Sequence, residues 1–167
     1  MAKLTKICVH WTAGTNQPNS TDYQHYHYLI NGDGLIFKGK YKPEDNLDCN
    51  DGKYAQHCGG GNTGAIGVSM CGMFTPKGTD FRKSPYPLTK KQCESCFNLI
   101  AELCVKYNIP VTKDTVYTHY EFGQRHSKTT SYGKIDITYL PPYPQLNANQ
   151  VGDFIRNKVK WYINKNV

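Results

Sequence analysis

Residues 3–11, KLTKICVHW, set Ile7, Val9 and Trp11 on one side of the chain and Cys8 and His10 on the other. A period of two is that of a strand, and Thr12-Ala13-Gly14 ends it. His10 therefore falls at a strand end before a loop, a common place for site residues. Tyr26–Ile30 and Leu35–Gly39 read as two more strands around Asn31-Gly32-Asp33-Gly34, a strong hairpin signal. Within the first of them, His25 and His27 share one face and Tyr26 takes the other. Ala65–Cys71, AIGVSMC, is a short, mostly apolar run that predicts a buried central strand.

The period changes over Leu88–Tyr107, where Cys93, Cys96, Phe97, Ile100, Leu103 and Cys104 form a helical stripe. Thr89 with Gln92 makes a capping box, and Pro110 closes the segment. Asp114–Thr118 predicts a short strand that delivers His119, after which residues 119–137 read as a polar loop. A last amphipathic helix is predicted over Ala148–Asn164, with Val151, Phe154, Ile155, Val159 and Tyr162 inward. Pro18–Asp22 carries capping residues that open one short helix, and residues 40–64 read as a long loop. Strands mixed with helices, without regular βαβ alternation, predict an α/β or α+β fold. A chain of 167 residues fits a single domain spanning 1–167.

Charge narrows the partners. The net charge is +7 and the pI near 9.0, which favours an anionic partner: nucleic acid, membrane or cell wall. No helix-turn-helix, zinc-finger or RNP pattern supports nucleic acid. Arg156, Lys158, Lys160 and Lys165 are expected to give the last helix a positive face toward an anionic membrane or wall polymer. No apolar run reaches the length of a membrane span. The start, MAKLTKICVH, is broken by His10 and reads as no signal peptide, so the seven cysteines are expected as reduced thiols. Cys93-x-x-Cys96 lies inside the helical stripe, with no second pair to complete a zinc site, and is expected to pack as small hydrophobes.

Candidate chemistry concentrates in Thr118–Ile137, where His119, Lys134 and Asp136 make a metal-and-acid corner that lacks a third ligand. His10 is the candidate for it. His25-x-His27 is a rival metal pair. Asp48–Gly52 departs from a calcium loop in its glycine position and lacks the closing glutamate. Gly59–Gly64 spells G-x-G-x-x-G but opens no helix, so it reads as a loop that admits a bulky ligand beside His57. Gly67-Val68-Ser69-Met70 misses the nucleophile elbow by its second glycine, and Ser69 reads as structural.

ICVHWTAG, YHYLINGDGLIFKG, HCGGGNTGAIGVSMCG, THYEF and SYGKIDITYLPP occur in this order. Together they resemble the zinc-dependent N-acetylmuramoyl-L-alanine amidases of the phage endolysin and peptidoglycan-recognition-protein type, over about residues 5–145. The resemblance implies a central mixed β-sheet flanked by helices with a zinc cleft on one face. It implies one catalytic Zn²⁺ on His10, His119 and Asp136, catalytic Tyr26 and Lys134, and substrate-binding His57 and Asn62. Oxyanion stabilisation and proton donation stay shared between Tyr26 and Lys134. Trp11 and Glu121 are expected behind the ligands, and His126 outside the site. The implied partner is bacterial peptidoglycan, cut by a monomer without a separate wall-binding domain. The implied setting is a phage lysin, in the host cytoplasm until release to the wall. The alternative is a module that binds muropeptides without cutting them.

Overall fold

The computed structural model describes residues 2–166. Its centre is one five-stranded sheet. The strands are β1 (Lys6–Trp11), β2 (Tyr28–Ile30), β3 (Ile36–Lys38), β4 (Ala65–Met70) and β5 (Val116–Thr118), in the order β3-β2-β4-β1-β5. β1 pairs in parallel with both β4 and β5, β2 is parallel to β4, and only β3 runs antiparallel. The sheet is therefore mixed, and β1 lies inside it with every residue from Ile7 to Trp11 buried.

Alternation along β1 separates two faces, as the sequence predicts. Ile7, Val9 and Trp11 join Ile66, Val68 and Met70 of β4 in the main core. Two long helices close that core: α2 (Lys90–Tyr107), with Phe97 and Ile100, and α4 (Ala148–Lys165), with Val151, Ile155 and Val159. α2 begins at the predicted Thr89–Gln92 capping box. Cys8 points the other way and joins Cys58, Tyr117 and Phe122 in a smaller cluster. All seven cysteines are free thiols, and Cys93 and Cys96 are wholly buried in the main core.

Three elements depart from the sequence reading. The strand expected to begin at Tyr26 begins at Tyr28, because α1 (Ser20–His25), capped by Asn19 and Asp22, runs up to His25. Residues 119–125 are not loop but a short helix, α3 (His119–Arg125). Thr118 accepts from the amide of Glu121 while Glu121 accepts from the amide of Thr118, a T-x-x-E box legible in the sequence and missed there. Arg156 does not contribute to a positive face of α4. It is buried and donates to both oxygens of Glu121 at 2.9 Å, to Asp153 at 2.8 Å and to the Val116 carbonyl at 2.9 Å. Arg156 thus joins α4 to α3 and to the end of β5.

Candidate metal centre in an open cleft

His10 leaves the sheet at the end of β1, and His119 is the first residue of α3, directly after β5. Because β1 and β5 are parallel neighbours, with Val9 opposite Thr118, the two histidines emerge side by side. Asp136 arrives from the loop after α3, and its carbonyl accepts from the Tyr120 amide at 2.5 Å. The Nδ1 atoms of His10 and His119 are 3.1 Å apart. Asp136 places Oδ2 at 2.9 Å from the first and Oδ1 at 3.3 Å from the second. Donors on a tetrahedral zinc, with bonds of about 2.0–2.1 Å, lie about 3.3 Å from one another. The trio already has nearly that spacing.

The other ring nitrogens are engaged as well. His10 Nε2 lies 3.0 Å from His57 Nδ1, and His57 Nε2 lies 3.1 Å from the Ala65 carbonyl. His119 Nε2 lies 2.9 Å from Ser131 Oγ, which donates to the Gly59 carbonyl at 2.7 Å. The His57 ring lies flat against β4, where a Cβ on Gly67 would come within 2.5 Å of it. Only glycine leaves room for that ring.

Electrostatics polarise the trio. Burial lowers the pKa of His10, against the opposing pull of the Asp136 carboxylate. Burial pulls His119 down too, but the Asp136 carboxylate, with Cys58 adding to it, outweighs burial and holds the imidazole at about 9. Burial pushes Asp136 up, yet its bonds to both histidines leave it below the usual carboxylate range. Burial, together with His10 and His27, drives His57 well below an ordinary histidine. Without a metal, the corner is an imidazolium–carboxylate pair beside a neutral histidine. A divalent cation competes for the place of that proton.

A second set, Cys8, His10 and His57, also brings its donor atoms within 4.8 Å. Burial raises its Cys8 thiol well above the ordinary value, against formation of the thiolate that a metal needs. His119 and Asp136 of the other set line the cleft, and that set carries the charged carboxylate. Its donors need no thiol to ionise. His25-x-His27 is not a metal pair: His27 accepts from the Gly67 amide at 2.9 Å and bonds Asn46 Oδ1 at 2.9 Å, whereas His25 bonds the Gln56 carbonyl.

The cleft beside the trio has a volume of about 1310 Å³ and is lined by Tyr26, His57, Asn62, His119, Lys134 and Asp136, among others. Tyr26 faces His10 with ring centroids 5.2 Å apart, and burial, then Asp136, raises its phenol far above the usual range. Lys134 is solvent-exposed at the rim. His25 also lines the cleft, whereas a strand through it would turn it away. Residues from Met73 to Thr79, with Phe81, also line the cleft, and no sequence signal stood out for them. Asn62 accepts from the amides of His57 and Cys58 at 3.0 and 2.8 Å. Trp11 lines the cleft, and Glu121 is occupied with Arg156. His126 stacks on Phe122 at 4.0 Å and bonds the Phe122 carbonyl. Ser131 was missed in the sequence, because a lone serine in a Ser/Thr-rich loop carries no periodicity or spacing signal.

The family model described as N-acetylmuramoyl-L-alanine amidase matches residues 1–134, and the chain belongs to that family. The matched stretch includes His10, Tyr26, His57, Asn62, His119 and Lys134 and ends two residues before Asp136. Among solved structures, the chain is similar to the catalytic domain of PlyG, with 21% identity and a TM-score of 0.56 over 96% of this chain and 83% of that one. It is also similar to PlyL, with 21% identity and a TM-score of 0.53 over 95% and 84% of the two chains. At these identities the likeness is one of fold. No curated protein sequence matches the chain.

Proposed function

We propose that this member of the amidase family is a zinc-dependent peptidoglycan hydrolase, cutting the amide between the lactyl group of N-acetylmuramic acid and L-alanine. The observation that carries the reading is the convergence of His10 Nδ1, His119 Nδ1 and the Asp136 carboxylate at the edge of an open cleft. Two imidazoles and a carboxylate are ligand types that zinc takes, and three protein ligands leave one coordination position open. Bound there, the ion supplies Lewis-acid activation of the scissile carbonyl and of the attacking water.

The chain's own residues do the rest. Tyr26 keeps its proton throughout the neutral range, so it serves as a hydrogen-bond donor to a developing oxyanion and not as a base. Lys134, an ammonium on the rim, adds positive charge and a proton for the leaving amine. His57 and Asn62 shape the cleft on the substrate side. The cleft exceeds the roughly 300–1,000 Å³ of a small-molecule pocket, which suits a stretch of glycopeptide polymer. In the cell the enzyme is a phage endolysin, a monomer that stays in the host cytoplasm until release and then acts at the wall. The exposed Lys160, Lys165 and Trp161 of α4 support contact with an anionic wall polymer or membrane.

The test is digestion of purified peptidoglycan with and without a chelator. New N-terminal L-alanine, lost on chelation and restored by zinc, is the expected result. Binding without cleavage at saturating zinc would overturn the hydrolase in favour of a muropeptide-binding module, and cleavage indifferent to chelation would overturn the zinc.

A further inference from the structure

We propose that His57 and Ser131 are positioning residues. Two hydrogen-bond relays, each ending on a backbone carbonyl, hold a proton on Nε2 of both His10 and His119 and turn both Nδ1 atoms toward Asp136. The inference rests on the metal-centre reading above and adds the part of the chain that prepares it.

The first relay begins at Ala65, whose carbonyl can only accept. His57 Nε2, 3.1 Å away, must therefore carry the proton. A neutral imidazole has one N–H, so His57 Nδ1 is an acceptor. Its neighbour at 3.0 Å is His10 Nε2, which must donate. His10 Nδ1 is left with its lone pair facing Asp136.

The second relay begins at the Gly59 carbonyl. Ser131 Oγ lies 2.7 Å from it and spends its one hydrogen there. The oxygen then accepts from His119 Nε2 at 2.9 Å, with Cys58 Sγ 3.6 Å from the same oxygen. His119 Nδ1 is thereby available to a metal. The three atoms, 2.9–3.3 Å apart, converge on one point, where a metal ion takes the place of the proton that His119 shares with Asp136.

Both relays meet in one short segment. His57 supports His10 by its side chain, and Gly59, two residues on, receives the support of His119 by its carbonyl. Asn62 clamps that segment through the amides of His57 and Cys58. A Cβ on Gly59 would come within 1.8 Å of Thr130, beside Ser131, so this glycine admits the second relay. The glycine-rich stretch braces the ligands in addition to bordering the cleft. Such outer partners of metal histidines typically alter metal affinity about 10–100-fold.

The test measures zinc Kd by chelator competition for wild type, Ser131→Ala and His57→Phe, and reads ring protonation by long-range ¹⁵N–¹H NMR. Each variant is expected to bind zinc about 10–100-fold more weakly. Metal-free wild type is expected to carry the His10 and His57 protons on Nε2, and zinc-loaded wild type to be ligated through Nδ1 of His10 and His119. An Nδ1–H on His10 or His57, ligation through Nε2, or an unchanged Kd in both variants overturns the proposal. Should His57→Phe fail to fold, Ser131→Ala, which removes a single hydroxyl, decides it with the NMR. A wild type that binds no zinc would sink the metal reading alone, because the metal-free spectra still report the first relay.

Discussion

His10 and Asp136 stand 126 residues apart in the chain and meet at 2.9 Å. The meeting follows from β1 lying inside the sheet next to β5: the strand that carries the first ligand is the one beside which α3 and its following loop must start. Because α3 begins at His119 and its Tyr120 amide holds the Asp136 carbonyl, two of the proposed ligands share one corner. The proposed catalytic groups divide cleanly from that corner, which makes them separable by mutation.

Lys134→Ala is expected to retain zinc while kcat falls about 10²–10⁴-fold, the range for a lost general acid. The side chain is exposed, so folding should be unaffected. Tyr26→Phe is expected to cost about 10²–10³-fold, as for one lost oxyanion donor. Metal content and kcat measured on the same samples check both, and a fully active Lys134→Ala would remove Lys134 from the chemistry.

The His119–Asp136 pair makes the metal-free protein sensitive to alkali. His119 is raised from the ordinary 6.5 to about 9, so its stabilisation is complete below about pH 6.5 and lost as pH rises through about 9. Denaturant midpoints of metal-free wild type and His119→Gln should converge between pH 6 and pH 10. Zinc must displace that proton, so zinc affinity is expected to rise over the same window. A wild-type-to-variant gap that stays constant with pH would contradict the assignment.

Arg156→Met is expected to lower stability by about 3 kcal/mol, the lower end for breaking one side of a buried ion pair. Its guanidinium bonds both Glu121 oxygens, and Glu121 caps the helix that starts with His119. Zinc affinity should therefore weaken along with the unfolding midpoint. A substitution without effect on either would mean that α4 does not support the metal corner.

Gly67→Ala places a methyl within 2.5 Å of the His57 ring. Overpacking of this kind costs about 1–3 kcal/mol. The displaced ring should weaken zinc binding too, in contrast to Gly78→Ala on the exposed wall, where a Cβ meets nothing within 4 Å and the cost is the positive φ of 85° alone. Chemical denaturation and chelator competition on the two variants compare them directly.

Charge reversal at Lys160 and Lys165 is expected to reduce sedimentation with purified cell wall at low salt while leaving the melting temperature near wild type. Both are exposed, and Lys165 covers the Trp161 ring at 5.0 Å. Lys158 is the wrong choice, because it is bound to Glu94 at 3.1 Å. Unchanged wall binding would rule out this face.

Local periodicity made much of the fold legible. β1 shows its two faces in nine residues, α2 announces its cap and stripe, and the parallel interior of β4 reads as a mostly apolar run. α3 escaped because seven residues give too little periodicity to override glycine and polar neighbours, even with its T-x-x-E box in view. Arg156 looked like surface because a helical face records position and not partner: Glu121, 35 residues away, turns a basic residue inward. Ser131 and the relay role of His57 have the same origin. The sequence by itself determined most of the elements and, through ordered motifs, named His10, His119 and Asp136 as candidate ligands. Only the tertiary structure decided that their donor atoms converge, that His57 and Ser131 stand behind them, and that Arg156 is buried, since hydrogen bonds between distant segments leave no periodic trace along a chain.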